Sequence, residues 1–345
     1  MPGVTPHPKK AVLLVNLGSP DSPAVPDVRR YLTEFLLDAR VIDIPWPLRQ
    51  FLVRGVIIPR RVRNSAEAYH AIWTPAGSPL IVASRKLRDL LAARVELPLA
   101  LAMRYGNPSI RDVVDALAKD GVENLLLIPL YPHYAMSSYE TVVVRVREVL
   151  ARRNPGCALQ VLKPFYDDPH YISALVASAR PWLERPHDHL LFSYHGIPER
   201  HCRKADPSGA HCLARPDCCD VRHPAHDVCY RHQVFATTRA FAAAAGLKEG
   251  RYSVSFQSRL GKEPWLGPYT DAELDRLGRA GVRRLMIISP AFVSDCLETI
   301  EELGVAGKKT FLAAGGQSFD LIPCLNDHPA WVDFLEKRVR EFQAG

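Results

Sequence analysis

Short apolar runs recur along the chain, and most are separated by stretches in which apolar residues return at the helical period. The runs at 11–17, 99–105, 125–130 and 159–163 form one set, and those at 190–194, 252–257, 285–289 and 310–314 a second. Helical patterns lie at 113–119, 139–152, 171–183, 235–245 and 272–279, with a last amphipathic one at 329–343. Strands alternating with helices predict right-handed crossovers and parallel sheets covered on both faces. The expectation is an α/β chain of two doubly wound, Rossmann-like domains, each with a four-stranded parallel sheet. Residues 1–166 form the first, 167–328 the second, and 329–345 a helix that packs back on the body. A crevice between the domains then collects the carboxyl ends of the strands.

What stands at those ends is chemically pointed. The run 190–194 delivers His195 directly into Gly196, and other ends carry Asn16-Leu17-Gly18, Arg104-Tyr105-Gly106, residues 131–134, Gln257-Ser258-Arg259 and Gly315-Gly316. After 285–289 and Pro290, Asp295 is placed as a helix N-cap, followed by Glu298, Glu301 and Glu302. Glu298 and Glu302, four apart, share a helix face, from which Glu301 departs. A strand-end histidine can simply be bonded to a carbonyl, and acidic residues in a first turn can simply offset the helix dipole. An imidazole facing two carboxylates, however, suits a divalent cation together with proton transfer. No G-x-G-x-x-G follows the first strand and there is no Walker loop, which disfavours nucleotide chemistry.

Composition narrows the setting. No apolar stretch approaches the roughly 20 residues of a membrane span, and the opening MPGVTPHPKK lacks an apolar segment with a cleavage site. A cytoplasmic protein is expected. The net charge of +7 is concentrated in part at 49–63, where arginines alternate with Ile, Val, Leu and Phe. That alternation fits an amphipathic surface, peripheral on the inner membrane face, better than a phosphate-tracking one. Of eight cysteines, five fall at 202, 212, 218, 219 and 229, in a segment of about 200–232 without periodicity. Such a segment needs an organising centre other than its own apolar content. Interspersed histidines keep zinc open, but no short C-x2-4-C pair exists. Thiolate-only ligation at wide spacing favours a 2Fe–2S cluster.

The chain also resembles a known family. NLGSP (16–20), SAEAYHAIW (65–73) with GSPL (77–80), MRYGNPS (103–109), LYPHY (130–134), SYHGIP (193–198), FQSRLGKEPWLGPYTD (256–271), FVSDCLETIEE (292–302) and AAGGQSFDLIPCLN (313–326) match ferrochelatases, in order, over nearly the whole chain. The resemblance implies insertion of Fe2+ into protoporphyrin IX to form protohaem, the last step of haem biosynthesis. It implies His195, Glu298 and Glu302 as catalytic residues, with Fe2+ meeting His195 and Glu298. It places Leu17, Arg61, Tyr69, Ser78, Arg104, Tyr134 and Trp265 around the porphyrin, Arg61 being taken from the 60–63 group. Leu17, where coproporphyrin-using members carry a nearby tyrosine, favours protoporphyrin. Animal-type members draw one cluster cysteine from the position of Met136 and the others from a C-terminal extension. This chain instead resembles a bacterial subgroup with an internal 2Fe–2S cluster, assigned to Cys212, Cys218, Cys219 and Cys229 with Cys202 spare. The alternatives are a coproporphyrin-iron, cobalt or nickel chelatase and, more distantly, a Cys/His-rich regulatory or nucleic-acid-binding protein. The latter is disfavoured because no aromatic-interleaved basic motif lies beyond 49–63.

Overall fold

The computed structural model describes residues 9–261 and 263–345, so the opening segment used to argue against a secretory leader lies outside the described residues. Two all-parallel four-stranded sheets share one plan. Strands β1 (Lys10–Ser19), β2 (Leu99–Gly106), β3 (Asn124–Pro129) and β4 (Ala158–Val161) order as β2-β1-β3-β4. Strands β5 (His189–His195), β6 (Tyr252–Gln257), β7 (Arg284–Ile288) and β8 (Ser318–Leu321) order as β6-β5-β7-β8. In each sheet the first strand is central and the order reverses beside it, which opens a crevice at its carboxyl end.

The uninterrupted apolar runs follow from coverage on both faces. Along β1, Val12 and Leu14 enter one core and Ala11, Leu13 and Val15 the other, all fully buried. In β5, Leu190, Phe192 and Tyr194 face the same core as Val12 and Leu14, while Leu191 faces the far side. One core therefore runs through both halves. The final helix, Pro329–Ala344, adds Trp331 and Phe334 to it and returns to the first half, where Lys10 Nζ donates to the Phe342 carbonyl at 3.1 Å.

One element differs from expectation. Residues 310–314 are not the eighth strand but belong to the helix Lys308–Ala313 and its end; β8 follows at Ser318–Leu321. A five-residue apolar run does not carry enough periods to distinguish helix from strand. Here Phe311 packs inward from the helix, and the chain turns at Gly315 (φ +108°) and Gly316, whose added Cβ would stand 2.2 Å from the Phe311 ring. Gly315-Gly316 consequently lie at the amino end of β8, not on the carboxyl rim.

Between β1 and β2 the chain inserts Val25–Leu36, Trp46–Phe51, a π-helical Leu52–Ile57, Ile58–Ile72 and Pro79–Ala92. The first, third and fourth pack into a third core around Tyr31, Tyr69 and Tyr105, while Trp46–Phe51 leaves Trp46, Leu48 and Phe51 exposed. Leu17 at the end of β1, and Leu297 and Ile300 from the second half, lean on this core. The crevice is thus walled from both sides.

Candidate active site

β5 ends at His195, paired with Gln257 at the end of β6. The next residue is glycine because of crowding: a Cβ there would lie 2.9 Å from the Gln257 carbonyl oxygen and 3.2 Å from the Trp265 ring. The Gly196 N–H donates to that carbonyl at 2.8 Å, and Tyr230 Oη donates to the His195 carbonyl at 2.8 Å. The backbone around the imidazole is therefore fixed without help from the imidazole. His195 Nδ1 lies 2.6 Å from the Gly196 carbonyl oxygen, which can only accept, so Nδ1 carries the proton. That tautomer leaves Nε2 with a lone pair. Trp265 is held alongside by its antiparallel bridge to Pro198 and by Leu266 N–H donating to the Ile197 carbonyl at 3.0 Å.

The carboxylates stand on a π-helix, Glu298–Gly307. Its i→i+5 ladder widens the turn, so residue i+4 stays near the face of residue i while i+3 is carried further away. Glu302 therefore keeps company with Glu298, and Glu301 does not. Asp295 does not cap this helix. Its carboxylate accepts from the Asn326 side-chain amide at 2.6 Å, the Cys324 N–H at 3.2 Å and the Thr299 hydroxyl at 3.2 Å. Thr299 Oγ1 instead takes the Cys296 N–H at 3.0 Å. Asn16 at the end of β1 donates to Ser84 Oγ at 2.9 Å and Ser294 Oγ at 3.3 Å, tying the approach to this helix onto the first sheet.

Glu302 is clamped. It accepts the Ser258 N–H at 2.8 Å and the Ser258 hydroxyl at 2.5 Å, and Ser258 adopts a left-handed φ of +66° to supply both. Gln257 Nε2 donates to the Glu298 carbonyl at 2.8 Å. Burial raises the pKa of Glu302; Ser258 and the nearby His195 pull it down, and Glu298 pushes it up. The three predicted catalytic groups thus act on one another electrostatically. Glu298 also faces the first half: the Tyr69 phenol is raised first by burial and then by Glu298, and Tyr31 by burial, Tyr69 and Glu298.

The other predicted contacts divide. Glu298 acts on Tyr69, Trp265 lies beside Gly196, and Leu17 leans on the third core together with Leu297 and Ile300. Arg104 is engaged within its own half: it is ion-paired with buried Asp38, donates Nε to Thr141 Oγ1 at 2.8 Å, and stacks 4.4 Å from the Tyr105 ring centroid. Tyr134 Oη donates to Glu140, which also accepts Arg40 Nε at 3.1 Å. Ser78 is buried at the start of the helix Pro79–Ala92, and Arg61 is exposed on Ile58–Ile72. Sequence reasoning gave no role to Tyr31, on a helix it had not predicted, nor to Gln257 and Ser258, whose strand-end position was the available signal. Tyr131 was passed over too; its hydroxyl is buried without a hydrogen-bond partner, and Arg104 and Glu298 both act on it.

Within 49–63, Arg49 is not part of a basic surface: it is buried and donates to the Ile42 and Ile44 carbonyls at 3.2 and 3.0 Å. Arg54, Arg60, Arg61 and Arg63 are exposed, beside Trp46 and Phe51, which are 65% and 69% exposed. Among the described residues, no helix is long and apolar enough to cross a membrane.

All five clustered cysteines are buried, and their segment has a frame of its own. The Asp206 carboxylate accepts the N–H groups of Ser208, His211 and Cys212 at 2.8–2.9 Å. His211 stacks on His223 at 3.8 Å and His226 on His232 at 3.6 Å, with His211 and His226 Nε2 both turned to the Cys218 carbonyl. These bonds and stacks give the segment, short of apolar content, a polar frame beside its buried thiols. Cys229 is pulled down to about 6, chiefly by the Cys219 thiol donating to it. Cys202 is pushed up to about 12 by burial and then by Cys229, so it lies within the same group. Arg231 approaches the sulfurs of Cys218 and Cys219 at 3.6 and 3.5 Å. Among the described residues, no three His, Cys, Asp or Glu side chains converge to hold a metal ion.

A family model described as Ferrochelatase matches residues 9–343. The chain is 61% identical to the ferrochelatase of Opitutus terrae, over 96% of this chain and 97% of that one. It is 53% identical to that of Azotobacter vinelandii, over 96% and 98%, and 52% identical to that of Pseudomonas entomophila, over 94% and 97%. Among solved structures it superposes on SirB from Bacillus subtilis with Fe3+ at a TM-score of 0.55 and 14% identity, covering 96% of this chain and 95% of that one. A cobalt complex of the sirohydrochlorin chelatase SirB from the spizizenii subspecies gives 0.53 at 12% identity, covering 96% and 94%. These two likenesses concern the fold alone.

Proposed function

This chain belongs to the ferrochelatase family, and we propose that it inserts Fe2+ into protoporphyrin IX, forming protohaem at the end of haem biosynthesis. One observation carries the reading. His195 turns Nδ1 to the Gly196 carbonyl and leaves Nε2 as its open ring nitrogen, within the field of Glu298 and Glu302, with Leu17 and Tyr69 on the first-half side and Trp265 beside Gly196. A free-base porphyrin carries two pyrrole protons that must leave as the metal enters. Nε2, once it no longer holds the metal, accepts one from one face of the ring, the Glu298–Glu302 carboxylates take up the other, and their remaining charge stabilises the imidazolium that results. Glu298 and Glu302 also provide hard oxygen donors for hydrated Fe2+, the metal substrate, with Glu298 and His195 as its first partners. The apolar walls grip a flat macrocycle and exclude water from the reacting nitrogens. Leu17 places an apolar side chain rather than a phenol at that one position, which favours protoporphyrin over coproporphyrin. The test is anaerobic: Fe2+ and protoporphyrin IX are mixed with the protein and the loss of the free-base spectrum is followed. Turnover with Co2+ or Ni2+ but not Fe2+ would redirect the assignment to another chelatase.

The exposed arginines at 54, 60, 61 and 63 would meet propionates, while Trp46, Leu48 and Phe51 seat the lip on the cytoplasmic membrane face. Arg104 joins the propionate contacts only by exchanging its Asp38 partner. Changing Arg60, Arg61 and Arg63 together to Gln is expected to raise the porphyrin KM about tenfold while kcat stays within about twofold, because ground-state binding is lost. A collapsed kcat with an unchanged KM would remove the arginines from binding.

The thiol segment is read as the seat of a 2Fe–2S cluster held by Cys212, Cys218, Cys219 and Cys229. The donors fit in kind: the four thiols are buried together in one segment, and an Arg231 guanidinium lies beside two of the sulfurs. When bound, such a cluster supplies a redox-active charge whose negative excess Arg231 offsets. Serine at any of the four is expected to abolish the visible colour and the acid-labile sulfide, with Cys157→Ser as the unaffected control. A colourless protein carrying one zinc would overturn this reading, and colour lost in Cys202→Ser but kept in Cys218→Ser would exchange the fourth ligand.

A further inference from the structure

The crevice is bordered by segments from both halves of the chain, and one buried carboxylate joins three of them. Asp43 stands three residues before Trp46, in the stretch leading into the lip. Its side chain is only 6% exposed, and its partners come from the second half. Arg200 forms an ion pair with it, His201 Nε2 lies 3.3 Å from Oδ1, and Lys204 Nζ lies 3.3 Å from Oδ2. All three belong to the helix Glu199–Ala205, which begins four residues after His195. Arg200 reaches a third segment, donating Nε to Glu263 at 2.5 Å, two residues before Trp265. The lip, the helix behind His195 and the loop carrying Trp265 therefore meet at one charge cluster.

An exposed ion pair would be worth little here. A buried anion is different, since it tolerates burial only with its partners in place, and removing it leaves cations and a donor unmet. His201 is itself buried, its second ring nitrogen has no partner, and burial and then Arg200 hold it neutral, its pKa pushed down to about 4. It therefore acts as a neutral N–H donor. Nothing in this cluster is placed to touch the reacting nitrogens, so its effect must pass through the walls it holds.

We propose that Asp43 is a positioning residue for the porphyrin: by locking the lip to the helix behind His195, it fixes the separation of the crevice walls and so sets macrocycle affinity. This rests on the ferrochelatase reading above. The test uses the full-length protein, with protoporphyrin IX fluorescence quenching for Kd and steady-state insertion for KM and kcat. Asp43→Asn is expected to raise Kd and KM about fivefold or more, the size of a typical site-to-site coupling, with kcat within about twofold. Asp43→Glu should recover part of the affinity, and Asp43→Arg combined with Arg200→Asp should bind better than either single change. Arg200→Met, which removes the cation shared by Asp43 and Glu263, should shift Kd in the same direction and decides the matter if Asp43→Asn does not fold. Unchanged Kd in both folded variants, or a fall in kcat with KM unmoved, would overturn the proposal. A wild-type protein that fails to quench protoporphyrin would instead sink the functional reading itself.

Discussion

Replacing His195 by alanine is expected to abolish iron insertion while the chain still folds and still binds porphyrin. Among the described residues, the imidazole hydrogen-bonds only to the carbonyl of its own neighbour, Gly196. The surrounding backbone is held by the β5–β6 ladder, by the Gly196–Gln257 bond and by Tyr230. All of these survive truncation of a half-buried side chain, so the thermal midpoint should move little. Turnover is another matter. A positioned general base contributes about 100-fold to 10,000-fold, and kcat should fall within or beyond that range. Fluorescence quenching by protoporphyrin should remain close to wild type because Leu17, Tyr69 and Trp265 are untouched. Added imidazole should restore part of the rate, which separates a missing base from a collapsed site. Retention of more than about a tenth of the activity would remove His195 from proton transfer altogether.

The strand end that carries His195 was legible because a parallel sheet buried on both faces writes itself as a solid apolar run. The same property failed at 310–314, where Thr310 and four apolar residues fit a helix facing Phe311 into the core equally well. Between β1 and β2 the helix Val25–Leu36 does carry a helical period, turning Val28, Tyr31 and Leu36 inward, that a reading led by strand runs passed over. Only around 45–59 do prolines and the π-helical stretch Leu52–Ile57 break the phase. Tyr31, in the third core and within the field of Glu298, was lost with that first helix. Arg104 shows another limit. Its strand-end position read as a free cation, yet Asp38, 66 residues away in sequence, neutralises it. Long-range pairings of this kind have no local pattern. The thiol segment is a different case: its lack of periodicity is real, and Asp206 and two histidine stacks give it a polar frame that apolar patterning does not record.

The second large effect belongs to Glu298→Gln. The change keeps the size of the side chain and removes its charge, and this charge faces Tyr31 and Tyr69 across the crevice and acts on Glu302 beside it. A site from which an electrostatic partner of the transition state is removed loses about 100-fold to 1,000-fold in kcat, and that is the fall expected here with porphyrin binding retained. Glu302→Gln should be less clean, because its carboxylate accepts two bonds from Ser258. An amide oxygen can keep only part of that pair, so some stability should be lost along with rate. Glu301→Gln is the internal control. In an α-helix residue i+3 would still overlap the face of Glu298, but the wider π-turn carries it away, and the substitution should leave both kcat and KM near wild type. Measured side by side, the three variants report the phase of the helix as well as its chemistry. If Glu301→Gln proved more damaging than Glu298→Gln, the face assigned to the metal and the proton would be the wrong one.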